Sequence, residues 1–389
     1  MKFINVRMID GTGSLPKENV TLQFDHRFIQ PTDDEPVVMD MAGKTIIPGM
    51  INAHVHVTFD EVATDPFKHV KEESAAGMAI RTAARVKRML EAGITCARDL
   101  GGINYIELAV RDMIKTGEIS GPRLYCAGKQ IMMTGGQGWP VGRESDGADE
   151  VRKAAREQIK AGADIVKLMA TGGILTLGVD PGSSQLEENE MRAGVEEAKK
   201  ANRKAVAHAQ GTAGVKAAIR AGVDTVEHGI FLDDEAIQMM IDNKVVFVPT
   251  LTPPYRITEA GLKGGMQPWV MEKMDKVNKS NVISFQRAYQ AGVIIAAGND
   301  GGTPKNPHND MLTELRLMVE FGVPVVEAIR AGTWGSARAI GIENETGTIE
   351  IGKWADLVVL DGDPMTDIYA VGRVEMVVQG GKIVYQKNG

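Results

Sequence analysis

Cysteine is scarce: Cys96 and Cys126 are the two in a chain of 389 residues. A small secreted scaffold held by disulfides uses many more, so that design is excluded. Both fall in strand-like runs and read as reduced core residues. Long hydrophobic runs are also missing, and no stretch reaches the ~18 apolar residues of a membrane span. The opening Met-Lys-Phe-Ile-Asn-Val-Arg lacks a basic region followed by an apolar one, so no export signal is read there. Nor is there an excess of positive charge. Lys and Arg number 44 against 51 for Asp and Glu, a net charge of -7. Phosphate-backbone binding needs a basic face, so nucleic acid is not the expected partner. The expectation is a soluble cytoplasmic protein with a small-molecule substrate and no membrane partner. Homo-oligomerisation stays open.

What is present is ordinary globular composition, 43% hydrophobic and 24% charged. Such a length buries a sizeable core without staples. Both ends read as short strands with turns, at residues 1–46, with a turn at 33–36, and again from about residue 347. Neither end makes a domain alone, so one small β-domain built from both is expected. The middle alternates apolar runs with helix-period stretches. The runs are residues 45–57, 94–98, 124–132, 165–170, 205–208, 225–228, 245–249 and 293–297. The helical stretches include 72–91, 150–161, 187–201 and 233–241. Eight strand–helix units are the count for a closed (β/α)8 barrel. The rival, a doubly wound open sheet, would carry a Gly-rich phosphate turn where His54-Val-His56 stands. The expected organisation is 1–48 and 343–389 as two parts of a β-sandwich, with the barrel over 49–342. Gly93, Gly162, Gly222 and Gly292 each follow a helical pattern and read as left-handed stops. Residues 266–291 form a long helical pattern after a Pro-rich loop, Thr252-Pro-Pro-Tyr255, and read as a lid or insertion.

Four of the seven histidines fall at the ends of strand runs. In a (β/α)8 enzyme those ends form the active-site face. His54 and His56 stand two apart on a strand, so they share a face and can share an ion. His208 and His228 end the fifth and sixth runs, and Asp300 follows the eighth. Each alone could be a hydrogen-bonded core residue. A buried bare carboxylate needs a partner or a metal. Lys167 sits mid-strand among apolar residues. An ammonium has no lone pair to ligate with, but a neutral amine could react with CO2 to give a carbamate. Otherwise Lys167 pairs with an acid or reaches outward. A ligand at the same end of five strands is hard to obtain from packing alone.

This pattern resembles the amidohydrolase superfamily over nearly the whole chain. Thr45-Ile-Ile-Pro-Gly-Met-Ile-Asn-Ala-His-Val-His56 looks like the family's entry into its barrel. Ala337-Arg-Ala-Ile-Gly341 and Gly347-Thr-Ile-Glu-Ile-Gly-Lys-Trp-Ala-Asp-Leu-Val-Val-Leu-Asp361 look like its exit into the flanking β-sandwich. Arg98-Asp-Leu-Gly-Gly102, Gly121-Pro-Arg123, Thr134-Gly-Gly136 and Lys167-Leu-Met-Ala-Thr-Gly-Gly173 are similar to the imidazolonepropionase-like and Xaa-Pro or Xaa-Arg/Lys dipeptidase branch. The chain departs from that branch at Gln137, where a carbonyl-polarising His is usual.

The resemblance implies a binuclear hydrolase of an amide or peptide-like C–N bond, in a dipeptide or N-acyl amino acid, by a metal-bridging hydroxide. It implies two divalent ions, zinc first, with Mn, Fe or Co able to substitute. A carbamate on Lys167 bridges them. One ion takes His54, His56 and Asp300, and the other His208 and His228. Asp300 is the expected general base, and Gln137 a donor to the developing oxyanion. Tyr255, Arg256 and His308 are loop candidates for substrate contact. Arg98 and Asp99 are expected to pair beneath the site. One rival is a mononuclear deaminase or an imidazolonepropionase-like cyclic amidohydrolase on the same barrel. Deaminases place a Glu soon after the strand-five His, where this chain reads His208-Ala-Gln-Gly211. The other rival is a silent scaffold, which would lose ligands that this chain keeps.

Overall fold

A computed structural model of the chain describes residues 1–32, 37–65, 67, 70 and 72–387. The turn expected at residues 33–36 lies outside the described residues. The middle of the chain is α/β with parallel strands in two sheets. Met50–Val55, Ile94–Asp99 and Arg123–Cys126 form the first, in that order. The second has six strands, ordered Arg143–Glu144, Ile131–Met132, Ile165–Met169, Lys204–Ala209, Thr225–His228 and Val246–Val248. All pairs within both sheets are parallel. Parallel strands need crossover helices, and those helices bury both faces, which is why the runs are continuously apolar.

The helices follow the expected periodicity. Ala75–Glu91 starts at Ser74, whose hydroxyl accepts from Gly77 N at 3.1 Å. Ala148–Ala161, Glu188–Lys200 and Asp234–Asp242 occupy the other expected stretches. Gly93, Gly162, Gly222 and Gly292 all take the left-handed conformation at their helix exits, with φ between 87° and 100°.

Three runs behave differently. Residues 45–57 make two strands, and the chain changes sheets at Gly49. Lys44–Pro48 pairs antiparallel with Leu357–Asp361, whereas Met50–Val55 joins the parallel strands. A Cβ on Gly49 would stand 2.2 Å from Thr95 Oγ1, so only glycine allows the junction. Residues 124–132 split at Gly128, which turns left-handed at φ +68°. Residues 293–297 form no strand. Their backbone groups are shared among three neighbours: Ile294 O accepts from Phe247 N, Ala297 O from Ala53 N, and Ala297 N donates to Ala331 O. That segment is thereby bonded to the last strand of one sheet and the first of the other. The Pro-rich stretch is a helix, Thr252–Ala260, because proline fits the first turn where its missing N–H is no loss.

Both chain ends enter one eight-stranded sheet. Its order is Lys382–Gln386, Val374–Gln379, Leu357–Asp361, Lys44–Pro48, Lys2–Met8, Lys17–Phe24 and Phe28–Ile29, with Val38–Asp40 beside Lys2–Met8. Phe3, Phe24 and Phe28 pack edge to face in its core. Cys96 and Cys126 are buried free thiols, and burial pushes Cys96 up to about 12. No described helix is long and apolar enough to cross a membrane.

Candidate metal centre

His54, His56, Lys167, His208, His228, Asp300 and Gln137 all line one cavity at the C-terminal ends of the parallel strands. Sheet register sets this meeting. Met169 pairs with His208, and Ala209 pairs with His228. Asp300 arrives from the 293–300 segment, whose Asp300 N donates to His54 O at 2.8 Å. The imidazoles crowd together, with ring centroids 5.4 Å apart for His54–His56, 5.1 Å for His54–His228 and 4.5 Å for His208–His228. His228 and Asp300 both hold positive φ, at 73° and 53°. Such backbone conformations in non-glycine residues are costly and gather at functional sites.

The partner of each ring fixes which nitrogen faces the cavity. His54 Nδ1 donates to Glu227 Oε2 at 2.7 Å, and His56 Nδ1 donates to Gly101 O at 2.9 Å. Each leaves Nε2 with a free lone pair. His208 is turned the other way: Nε2 donates to Gly172 O at 3.1 Å, so Nδ1 is free. His228 Nδ1 meets Thr250 Oγ1 at 2.7 Å. Burial, helped by the Lys167 charge, lowers His54 well below the ordinary range and takes His208 to about 3. Burial takes His56 to about 4 and holds His228 far down as well. Neutral imidazoles are the ligating form.

The donor set fits divalent metal. Asp300 Oδ1 lies 3.4 Å from both His54 Nε2 and His56 Nε2. Ligand atoms ~2.1 Å from a tetrahedral ion stand roughly that far apart. Asp300 Oδ1 and Lys167 Nζ are buried and have no hydrogen-bond partner among the described residues. Orphaned buried charges of this kind are costly without a further ligand. Lys167 is 1% exposed. Burial brings its amine down to about 8 and raises the Asp300 carboxyl, against the pull of Lys167.

The three substrate candidates stand elsewhere. Pro253, Pro254 and Ile257 of the Thr252–Ala260 helix line the cavity, which puts Tyr255 and Arg256 on the opposite face. Arg256 binds Asp310 and Glu259, and Arg316 sits over the Tyr255 ring. His308 supports the site from behind, with Nε2 donating to His56 O at 2.9 Å and Nδ1 2.7 Å from Glu61. The expected Arg98–Asp99 pair does not form, because neighbours on a strand face opposite ways. Arg98 bonds Glu227 Oε1 at 2.8 Å and Ala53 O at 2.6 Å. Asp99 accepts from Val57 N and Gly101 N instead. Glu227 went unread in the sequence, although a carboxylate inside Thr-Val-Glu-His is the signal that marks it. Gln210 and Asn281, which also line the cavity, carry no such mark.

The model of the Amidohydrolase family matches residues 45–384. Ochratoxinase of Aspergillus niger is 30% identical over 390 residues, covering 92% of this chain and 77% of that protein. Among solved structures, a Xaa-Pro dipeptidase with methionine bound in its active site gives a TM-score of 0.89 at 29% identity, with both chains covered in full. A prolidase complexed with N-methylphosphonate-L-proline gives 0.91 at 31% identity, with 99% of each chain covered.

Proposed function

Because the chain belongs to the amidohydrolase family and is a hydrolase of carbon–nitrogen bonds, we propose that it cleaves an amide bond of a dipeptide or N-acyl amino acid at a binuclear metal centre. The dipeptidase branch read from its motifs is that of its structural neighbours. Lys167, as a carbamate, would bridge two zinc ions. His54, His56 and Asp300 would hold one, and His208 and His228 the other. The observation carrying this reading is the buried pair of orphaned atoms, Lys167 Nζ and Asp300 Oδ1, amid four imidazoles in one cavity. When bound, such ions make water a nucleophile near neutral pH and polarise the substrate carbonyl.

The chain's own groups do the rest. Asp300, buried beside the imidazoles, accepts a proton from the attacking water and passes it to the departing amine. Gln137, 8% exposed, presents its amide N–H to the carbonyl oxygen, a weaker donor than a charged imidazole. Glu227 and Gly101 O hold the His54 and His56 rings in place through their Nδ1 hydrogens. We extend the proposal to a closed barrel over residues 49–342, a β-sandwich of 1–48 with 343–389, and a cytoplasmic location. A hydrolysis screen over dipeptides and N-acyl amino acids, with zinc and with manganese, tests the substrate reading. Turnover of members of either library is expected. A flat result in both contradicts it while leaving the metal centre intact.

A further inference from the structure

The helix Pro268–Gln290 buries an apolar stripe at Val270, Met274, Val277, Phe285 and Ala288. Asn281 falls in the same stripe, at a position whose pattern calls for a hydrophobic residue. It is 3% exposed, it lines the cavity, and its Oδ1 has no hydrogen-bond partner among the described residues. Ser284, the other buried polar residue of the stripe, is accounted for. Its hydroxyl donates to Ile230 O at 2.8 Å and accepts from Leu232 N at 3.0 Å. Asn281 Oδ1 has no such role among the described residues. Gln210 repeats the pattern, buried in the same cavity with an Oε1 that has no partner among the described residues. An unmade hydrogen bond in a buried site costs stability, so a group that leaves one needs an explanation.

We propose that Asn281 determines specificity by hydrogen-bonding a neutral amide or carbamoyl group that the substrate carries beyond its scissile bond. A carboxamide offers an acceptor and two donor hydrogens, which complement another amide. Ile174, Ile230 and Ile257 line the same cavity and pack with Val270 and Val277 into one apolar cluster. A charged group set against them would lose its hydration, whereas a neutral amide joined to an apolar side chain fits. The helix is held firmly enough to aim Asn281. Lys273 donates to Gly173 O, Ile174 O and Thr176 O at 3.2, 3.2 and 2.7 Å.

The inference rests on the proposed amide hydrolysis, and its test separates the two. Metal-loaded wild type and Asn281→Leu are given three N-acyl amino acid probes: N-acetyl-L-glutamine, N-acetyl-L-norvaline, which lacks the second amide, and N-acetyl-L-glutamate, which carries a charge in its place. kcat/KM and the ligand-induced rise in Tm are read for each. In wild type N-acetyl-L-glutamine is expected to lead both others by tenfold or more in kcat/KM, through KM, and to raise Tm most. In Asn281→Leu the lead falls to within threefold, and the ligand-free Tm is equal to wild type or higher. A lead that survives the substitution overturns the proposal. So does a wild-type preference for either other probe, a Tm that no probe moves, or a ligand-free Tm several degrees below wild type, which marks a structural role. If no probe is hydrolysed but the Tm pattern holds, Asn281 keeps its role and the amide-hydrolysis reading fails.

Discussion

Glu227 joins two parts of the centre, taking His54 Nδ1–H on one oxygen and Arg98, with Thr225, on the other. All of these side chains are buried. Glu227→Gln weakens the acceptor that orients His54 and strands the Arg98 charge. It should lower metal affinity about 10- to 100-fold and destabilise the fold by about 3–5 kcal/mol. Metal titration and urea unfolding of the variant check the two effects. Glu107 makes the other residue-scale prediction. Its carboxyl oxygens are buried without partners among the described residues, and burial, then the Asp99 charge, push it up to about 8. Folded Glu107 therefore keeps its proton up to about pH 8, whereas in the unfolded chain it loses it near 4.5. Stability from this group is full below about pH 4.5 and is lost as pH rises through 8, by at most ~1.4 kcal/mol per unit. Glu107→Gln should flatten that slope in unfolding curves taken from pH 5 to 8. An unchanged slope contradicts the assignment. The meeting of four histidines in one cavity was legible because imidazoles at strand ends are rare in a packed core. Glu227 and Asn281 were not, since an acid or amide inside a buried stretch declares no partner until distant segments meet.

The helix Pro268–Gln290 acts as a unit through Lys273, whose ammonium gathers the carbonyls of residues 173, 174 and 176. Ile174 and Leu175 of that loop line the cavity. Lys273→Met leaves the three carbonyls unpaired and frees the loop. KM should rise roughly tenfold with metal content unchanged, since positioning residues act through small displacements of the wall. Steady-state kinetics beside metal analysis check it, and a loss of metal would place Lys273 in the centre's own framework instead. The length and phase of this helix are plain in the sequence at 266–291. Its docking is not, because an apolar stripe specifies burial without naming the surface that buries it. The same limit explains residues 293–297. Their composition suits a strand, but hydrogen bonds to three different neighbours leave no continuous ladder.

At the scale of the molecule, the terminal sheet and the parallel strands are linked by the Gly49 junction and by Arg123, which reaches Asp356 Oδ2 at 2.6 Å. Alternation of strands and helices was readable along the chain, as was the sharing of one sheet by both ends. The splitting of two apolar runs was not, because left-handed or crowded glycines at 128 and 49 decide it. The cavity itself depends on the whole assembly, drawing the candidate ligands together from residues 54 to 300 in sequence. The direct test is metal content per chain, measured on protein purified from zinc-supplemented cells, for wild type and Lys167→Ala. The account predicts about two ions in wild type, lost on removing the Lys167 amine. One ion in wild type, none, or two retained by Lys167→Ala would contradict it.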